Sequence, residues 1–140
     1  MTTASSSTLL ESLSALNGSA RLRILRLVCK HELSVGEVAD ILQLPQSTVS
    51  RHLKPLHNAC FVARRTVGTT GLYRLCDAMP PEVEELWNIV TTNCEDLPQA
   101  EEDAARMVSV LAQRHTDSRH FFQTVGSDWE SMRKDLFGSE

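Results

Sequence analysis

Ser34 stands three residues before Glu37, and an apolar repeat at Val35, Val38, Ala39 and Leu42 starts between them. This is a capping box. The hydroxyl and the carboxylate each satisfy a backbone amide that a helix start leaves unpaired, and the i, i+3, i+4, i+7 repeat gives the helix one apolar face. That helix is expected to end near Gln43. Pro45 follows, and its fixed φ and missing amide suit a helix entrance. Beyond it, Val49, Leu53 and Leu56 mark a second apolar face. Gln46, Ser47, Ser50, Arg51 and Lys54 lie opposite as a polar and basic one. Two short amphipathic helices about three residues apart, the second with a basic outer face, form a helix-turn-helix pattern.

The flanking sequence extends this pattern on both sides. Met1 to Thr8 is a Ser/Thr run read as a disordered leader, and Leu9 to Leu16 as a short helix stopped by Asn17-Gly18. A helix from Ser19 or Ala20 to about Lys30 follows, with Leu22, Ile24, Leu25, Leu27 and Val28 on its apolar face. Downstream, Phe61 to Thr66 and Leu72 to Cys76 have strand composition around a glycine-bearing turn, Val67 to Gly71, and read as a hairpin. A basic hairpin directly after such a helix is a wing. The expected fold is therefore mainly α with a small β-hairpin wing, a winged helix-turn-helix.

Further helices are expected toward the C-terminus. Pro80-Pro81 opens one with Glu82, Glu84 and Glu85 in its first turn, where acid complements the helix dipole. Val83, Leu86, Trp87 and Val90 form its stripe. Glu95 to Gln99 reads as a linker, and a helix from Ala100 aligns Ala104, Val108, Leu111 and Ala112. These helices exceed the needs of a small winged core and fit dimerisation. The expected organisation is a leader over residues 1–8, a winged domain over 9–94 and a helical extension over 95–140. In the tail, Phe121, Phe122, Val125, Trp129, Met132, Leu136 and Phe137 recur at helical spacing, a stripe that must dock on something.

Charge is divided along the chain. From Ala20 to Leu75, nine basic residues (Arg21, Arg23, Arg26, Lys30, Arg51, Lys54, Arg64, Arg65, Arg74) face three acidic ones (Glu32, Glu37, Asp40), a net of +6. From Cys76 to Asp117, ten acidic residues face two basic ones, a net of −8. The whole-chain charge of −4 hides a basic block of the kind that meets a polyanion. No run approaches the roughly 20 apolar residues of a membrane span, and the N-terminus lacks the basic and apolar regions of a signal peptide. No membrane partner is expected. Cys29, Cys60, Cys76 and Cys94 are widely spaced without a C-x-x-C, which favours reduced thiols in the cytoplasm, at the nucleoid if the polyanion is DNA. Ser, His and Asp are plentiful but unpatterned, and no Gly-rich phosphate loop occurs, so an enzyme is not expected.

Ala20 to Leu25, then Leu33 to Ala39, and above all Gln46-Ser47-Thr48-Val49-Ser50-Arg51-His52-Leu53-Lys54, resemble the helices of ArsR/SmtB-type repressors, the last stretch their recognition helix. The resemblance runs to about Leu75. It implies a winged-helix homodimer that binds an operator in double-stranded DNA and releases it on a signal. Ser118 to Phe122, Asp128-Trp129 and Arg133 to Gly138 resemble the connector of ArsR-type proteins fused to an S-adenosylmethionine-dependent methyltransferase domain. This second resemblance makes the chain, alternatively, the regulatory head of such a fusion, with that domain as a partner beyond Glu140. The family's metal sites are not carried here. Ser34 and Gly36 stand where its arsenic-binding cysteines would, and no Asp-x-His occurs, so neither metal nor cofactor is expected. Cys60 stands where the family has glycine.

The candidate DNA-binding residues are Gln46, Ser47, Thr48, Ser50 and Arg51 in the major groove, with His52 and Lys54 at its margins. On the wing they are Arg64, Arg65, Thr69 and Arg74, toward phosphates or the minor groove. Tyr73 is expected to pack on the core. Val83, Leu86, Trp87, Val90, Phe121, Phe122 and Trp129 are the candidate dimer or connector residues. Cys29, beside Lys30, and Cys94 are the candidates for a redox-responsive thiol, against the plainer reading of inert cysteines. His115 and His120 are one residue off the spacing that pairs ligands on a helix face.

Overall fold

The computed structural model describes residues 2–93 and 96–114. In chain order these form α1 (Thr2–Ala15), α2 (Ser19–Val28), β1 (Leu33–Ser34), α3 (Val35–Leu42), α4 (Gln46–Asn58), β2 (Val62–Val67), β3 (Thr70–Leu75) and α5 (Pro81–Asn93). Residues 100–114 are also helical and are called α6. The architecture is a winged helix-turn-helix: a mostly helical body with one antiparallel sheet in the order β1-β3-β2.

Apolar side chains from five elements meet in one core. Ile24, Leu25 and Leu27 of α2, Val38 and Ile41 of α3, Val49, Leu53 and Leu56 of α4, and Val83 of α5 are fully buried, with Leu33 and Phe61 closing it from the sheet side. Each such side chain contributes about 1.5–3 kcal/mol by leaving water. The capping box forms as the sequence implies: Glu37 N–H donates to Ser34 Oγ at 3.2 Å, and Ser34 N–H donates to the Glu37 carboxylate at 3.0 Å.

Several elements differ from expectation. The supposed leader is helical from Thr2 onward. It holds neither glycine nor proline, and serine or threonine costs only about 0.5 kcal/mol relative to alanine in a helix, so the helix expected from Leu9 extends backward. Strand β1 was not foreseen, because two residues are too few to show a period. It pairs Leu33 with Tyr73 and Ser34 with Leu72. The hairpin turn is also tighter than expected. Val67 pairs with Thr70, leaving only Gly68-Thr69 between the strands. Gly68 has φ 63°, the positive value that a two-residue hairpin turn needs at its first position.

Helix α4 continues through Pro55 to Asn58. It closes with two bonds, Phe61 N–H to Leu56 O at 2.9 Å and Cys60 N–H to His57 O at 3.1 Å. This is a Schellman end, with the apolar pair Leu56 and Phe61 buried beneath it. The residue it places in the left-handed region is Cys60, at φ 69°. The Cβ there meets its own backbone, which is why glycine dominates this position.

The stripe expected on α6 is displaced. Ala100, Asp103 and Met107 are its buried residues, whereas Val108 is exposed. Asp103 holds a core position because Arg23 of α2 meets it with two bonds, Nε to Oδ2 and Nη2 to Oδ1, both 2.8 Å. Arg23 Nη2 also donates to the Leu42 carbonyl at 3.4 Å, and Arg106 Nη1 donates to the Ile41 carbonyl at 3.1 Å. These bonds make residues 96–107 part of the winged body. The first compact unit accordingly runs to Met107, not to the boundary expected at residue 94. The second unit begins at Val108, and its described residues, 108–114, are helical.

Asp103→Ala leaves the Arg23 cation buried without its partner, and is expected to lower the unfolding free energy by about 3–5 kcal/mol in urea titration. The double substitution Arg23→Met with Asp103→Leu should recover most of that loss; additive destabilisation of the two would show that the pair is not the cause. Cys60→Gly is expected to stabilise by about 0.5–1 kcal/mol, as the left-handed penalty is removed and part of it returned in unfolded-chain entropy. A lower transition midpoint for the glycine variant would refute the strain assignment.

Candidate nucleic-acid interface

The outer face of α4 is built by its inner one. With Val49, Leu53 and Leu56 fixed in the core, Gln46, Ser47, Ser50, Arg51 and Lys54 are turned outward and exposed, and Thr48 and His52 sit half-buried on the flanks. Pro45 precedes the helix in an extended conformation, at φ −62° and ψ 148°, so it acts as the N-cap residue. Pro55, lacking an amide, deprives the Arg51 carbonyl of its usual helical donor.

His52 is held from behind. Arg21 of α2 donates through Nε to His52 Nδ1 at 3.2 Å, and through Nη1 to the Ser14 carbonyl at the end of α1 at 3.0 Å. Burial, and then the cations Arg21 and Arg51, push the His52 imidazole below its ordinary value of 6.5. The unfolded chain thus takes this proton at a higher pH than the folded one. The stability contributed by His52 is complete above about pH 6.5 and is lost as pH falls through the folded value.

The wing residues sort onto two faces. Arg64 lies across from Tyr73 in the β2-β3 register, with its guanidinium 5.9 Å from the ring centroid, within cation–π range. It rests on Gly71, where a Cβ would lie 2.5 Å from Arg64 Nη2. Tyr73 is half-buried beneath it. Arg65 points to the opposite face, where Glu32 accepts bonds from its Nε at 2.6 Å and Nη2 at 2.7 Å. That bidentate partner raises the Arg65 pKa further above its ordinary value. Arg74 is shared between Asp77, at 3.4 Å, and Glu32, at 3.9 Å. Thr69 is exposed at the turn.

Arg64 and Thr69 also line an open groove of about 290 Å³ with Ser34, Gly36, Gln46 and Tyr73. The structure therefore joins the wing to the start of α4 through Arg64 and Gln46. Arg65 and Arg74 are placed elsewhere, against acids that lie 33 and 3 residues away in sequence. Only the second of those was close enough to be noticed in the sequence.

Among the candidate dimer residues, Val83 and Val90 are buried within the chain itself, so they serve its own core. Leu86 and Trp87 are half-buried. The large apolar side chains left exposed on α1 and α5 are Leu9, Leu10, Leu13 and Ile89, none of which was singled out from the sequence. The first three form an i, i+1, i+4 apolar run on α1 that is visible in the sequence. Phe121, Phe122, Trp129 and the connector-like tail motifs lie outside the described residues, as do Cys94, His115 and His120. The Cys29 thiol donates to the Arg26 carbonyl at 3.1 Å. Among the described residues no group of three or more His, Cys, Asp or Glu side chains is gathered as a metal site would require. No helix among them is long and apolar enough to cross a membrane.

The family model for bacterial regulatory proteins of the arsR family matches residues 18–63, from the start of α2 to β2. The HTH-type transcriptional regulator MJ1325 of Methanocaldococcus jannaschii is 34% identical over 73 residues, which cover 51% of this chain and 82% of that protein. The chain belongs to the arsR family. Transcriptional activator HlyU of Vibrio cholerae is 40% identical over 63 residues, 45% of this chain and 58% of HlyU. The aligned part of the chain thus spans less than two thirds of that curated relative. The solved HlyU structure from the same species superposes with a TM-score of 0.54 at 32% identity, over 64% of this chain and 96% of the other. The homodimeric winged helix-turn-helix DNA-binding domain Mb0332 of Mycobacterium bovis gives a TM-score of 0.57 at 24% identity, over 70% and 88%, a likeness of fold. HlyU and MJ1325 bear the names of transcriptional regulators, the latter an uncharacterized one. The region matched to the family here is the helix-turn-helix with the start of the first wing strand.

On a polyanion, each cation that displaces counterions adds about one to the slope of log affinity against log salt. Arg64→Ala is expected to lower that slope by about one on random duplex DNA, and Arg65→Ala by less, because Glu32 already neutralises it. Glu32→Gln should steepen the slope. Equal losses for Arg64→Ala and Arg65→Ala would show that the two faces of the wing are not distinguished.

Proposed function

We propose that this arsR-family chain binds double-stranded DNA sequence-specifically as a homodimer, occupies an inverted-repeat operator and so represses transcription until a signal releases it. The observation that carries the reading is the outward face of α4. Five exposed polar and basic side chains, Gln46, Ser47, Ser50, Arg51 and Lys54, stand on a helix whose other face is locked into the core, beside the Arg64 face of the wing. Glutamine and arginine make bidentate contacts to base edges, and serine and lysine position the helix on phosphates. Thr48 joins the base-reading set from the flank.

The dimer rests on a separate observation. Leu9, Leu10 and Leu13 of α1 and Ile89 of α5 are 44–68% exposed, on two helices that pack against one another. A second copy of the same face would cover them, with half-buried Leu86 and Trp87 beside it. In the proposed complex the two α4 helices of such a dimer lie in successive major grooves, about 34 Å apart. Occupancy of a site overlapping a promoter represses by excluding polymerase. HlyU bears the name of an activator; in this chain an operator that overlaps the promoter makes the regulation repressive.

Selection from randomised duplex DNA at physiological salt is expected to enrich an inverted repeat whose half-sites are about 10–10.5 base pairs apart, centre to centre. On that duplex Arg51→Ala should cost about 1–3 kcal/mol, and on random DNA far less. Salt-sensitive binding without any enriched sequence would overturn the proposal.

A further inference from the structure

We infer that Arg21 is a positioning residue for the recognition helix: it holds His52 as the neutral tautomer with its proton on Nε2, so that His52 offers the DNA a hydrogen-bond donor. The inference rests on the DNA-binding reading above and adds a role that the outward residues of α4 do not supply. A guanidinium has five N–H donors and no acceptor. The bond from Arg21 Nε to His52 Nδ1, at 3.2 Å, therefore requires a lone pair on Nδ1. A neutral ring with that lone pair carries its proton on Nε2. Without such a partner a neutral imidazole divides between two tautomers, one of which turns an acceptor outward and repels phosphate oxygens and the acceptor edge of guanine.

The arrangement is fixed at both ends. Arg21 is anchored by its second bond, Nη1 to the Ser14 carbonyl at 3.0 Å, so the guanidinium is not free to swing away from the ring. His52 is half-buried between α2 and the exposed face of α4, one residue from Arg51. Among the described residues the charged groups acting on it are Arg21 from α2 and Arg51 from α4 itself. Both are cations, and both disfavour a second proton on the ring. The ring thus stays neutral and in one tautomer near neutral pH, and its Nε2–H is available without a protonation event. The acceptor it suits is a backbone phosphate oxygen or a purine N7, at the margin of the groove.

Two measurements test this on the full chain. The first needs no DNA: long-range proton–nitrogen correlation spectra at pH 7.5 should show His52 Nδ1 unprotonated and Nε2 protonated, and Arg21→Ala should return the ring to a mixture. The second uses the selected duplex. At pH 7.5, His52→Ala is expected to weaken binding roughly five- to ten-fold, the loss of one hydrogen bond. Arg21→Ala should weaken it by only about two-fold, the cost of dividing the ring between two tautomers, and the double variant no more than His52→Ala alone. At a pH low enough that the imidazole signals show His52 protonated in the variant, Arg21→Ala should recover relative to the native chain, because a protonated ring carries a proton on Nε2 whatever its neighbours do. His52→Gln, whose amide supplies a donor near the Nε2 position, should make binding insensitive to Arg21→Ala. A ring protonated on Nδ1, an additive double variant, or an equal deficit at both pH values would overturn the inference. A native chain that enriches no duplex would overturn the DNA-binding reading and this role together, whatever the tautomer. Specific binding without the Arg21–His52 coupling would overturn this role alone.

Discussion

A carboxylate and a guanidinium buried together make one demand that an apolar contact does not. Their bidentate bonds exist in only one relative placement of the helices that carry them. Arg23 and Asp103, 80 residues apart in sequence, impose that placement on α2 and α6. Removing a carboxylate from water costs several kcal/mol, and here the cost is offset by two bonds of 2.8 Å and by Arg106, whose Nη1 is 3.7 Å away. The same arginines have N–H groups left over, and these go to the carbonyls of Ile41 and Leu42. Those carbonyls belong to the last turn of α3, which has no basic residue of its own to meet the negative end of its dipole. The turn between α3 and α4 is thereby fastened to α6. The orientation of α4 thus rests on this ion pair, distant in sequence, together with the apolar contacts of Val49, Leu53 and Leu56.

This explains which parts of the fold were legible in the sequence. The capping box, the apolar face of α4 and the hairpin were readable because the partners involved lie within a few residues of one another, or repeat with a regular period. Ser34 and Glu37 needed no tertiary knowledge, and Val49, Leu53 and Leu56 needed only the helical period. Asp103 was opaque for the opposite reason. An aspartate on a stripe of alanines reads as solvent-facing until its partner is known, and its partner is in another helix. The expected stripe of Ala104, Val108, Leu111 and Ala112 lies one residue off the buried face of Ala100, Asp103 and Met107. The backward extension of α1 and the two-residue β1 are not legible because neither carries a period, and the exposed leucines of α1 because a short apolar run does not reveal whether its face is covered.

The basic block shows the same division within the proposed site. Read along the chain, nine cations form a uniform patch. In the fold, most of the arginines have structural work. Arg23 is paired with Asp103, Arg65 and Arg74 are held by Glu32 and Asp77, and Arg21 is bound to His52 and Ser14. Arg51, Lys54 and Arg64 are exposed and make no ion pair among the described residues. With Lys30, likewise exposed, these are the cations a polyanion would meet first. Long-range attraction reflects the summed field of the segment, but bound geometry is set by the few cations whose heads are not already committed.

That commitment also decides what the wing can do. A hairpin alternates its side chains between two faces, so Arg64 and Arg65, adjacent in sequence, belong to different surfaces of the molecule. Glu32, just before β1, takes the Arg65 face into the protein's own electrostatics. Gly71 and Tyr73 form a shallow seat that keeps the Arg64 head beside Gln46 and the first turn of α4. A side chain larger than hydrogen at position 71 would lift that head out of its seat while leaving the strand pairing intact, since the obstructing atoms are the mobile end of an arginine. The continuity between wing and α4 is thus carried by the space left at one glycine, and the division of labour between two neighbouring arginines by one glutamate outside the hairpin.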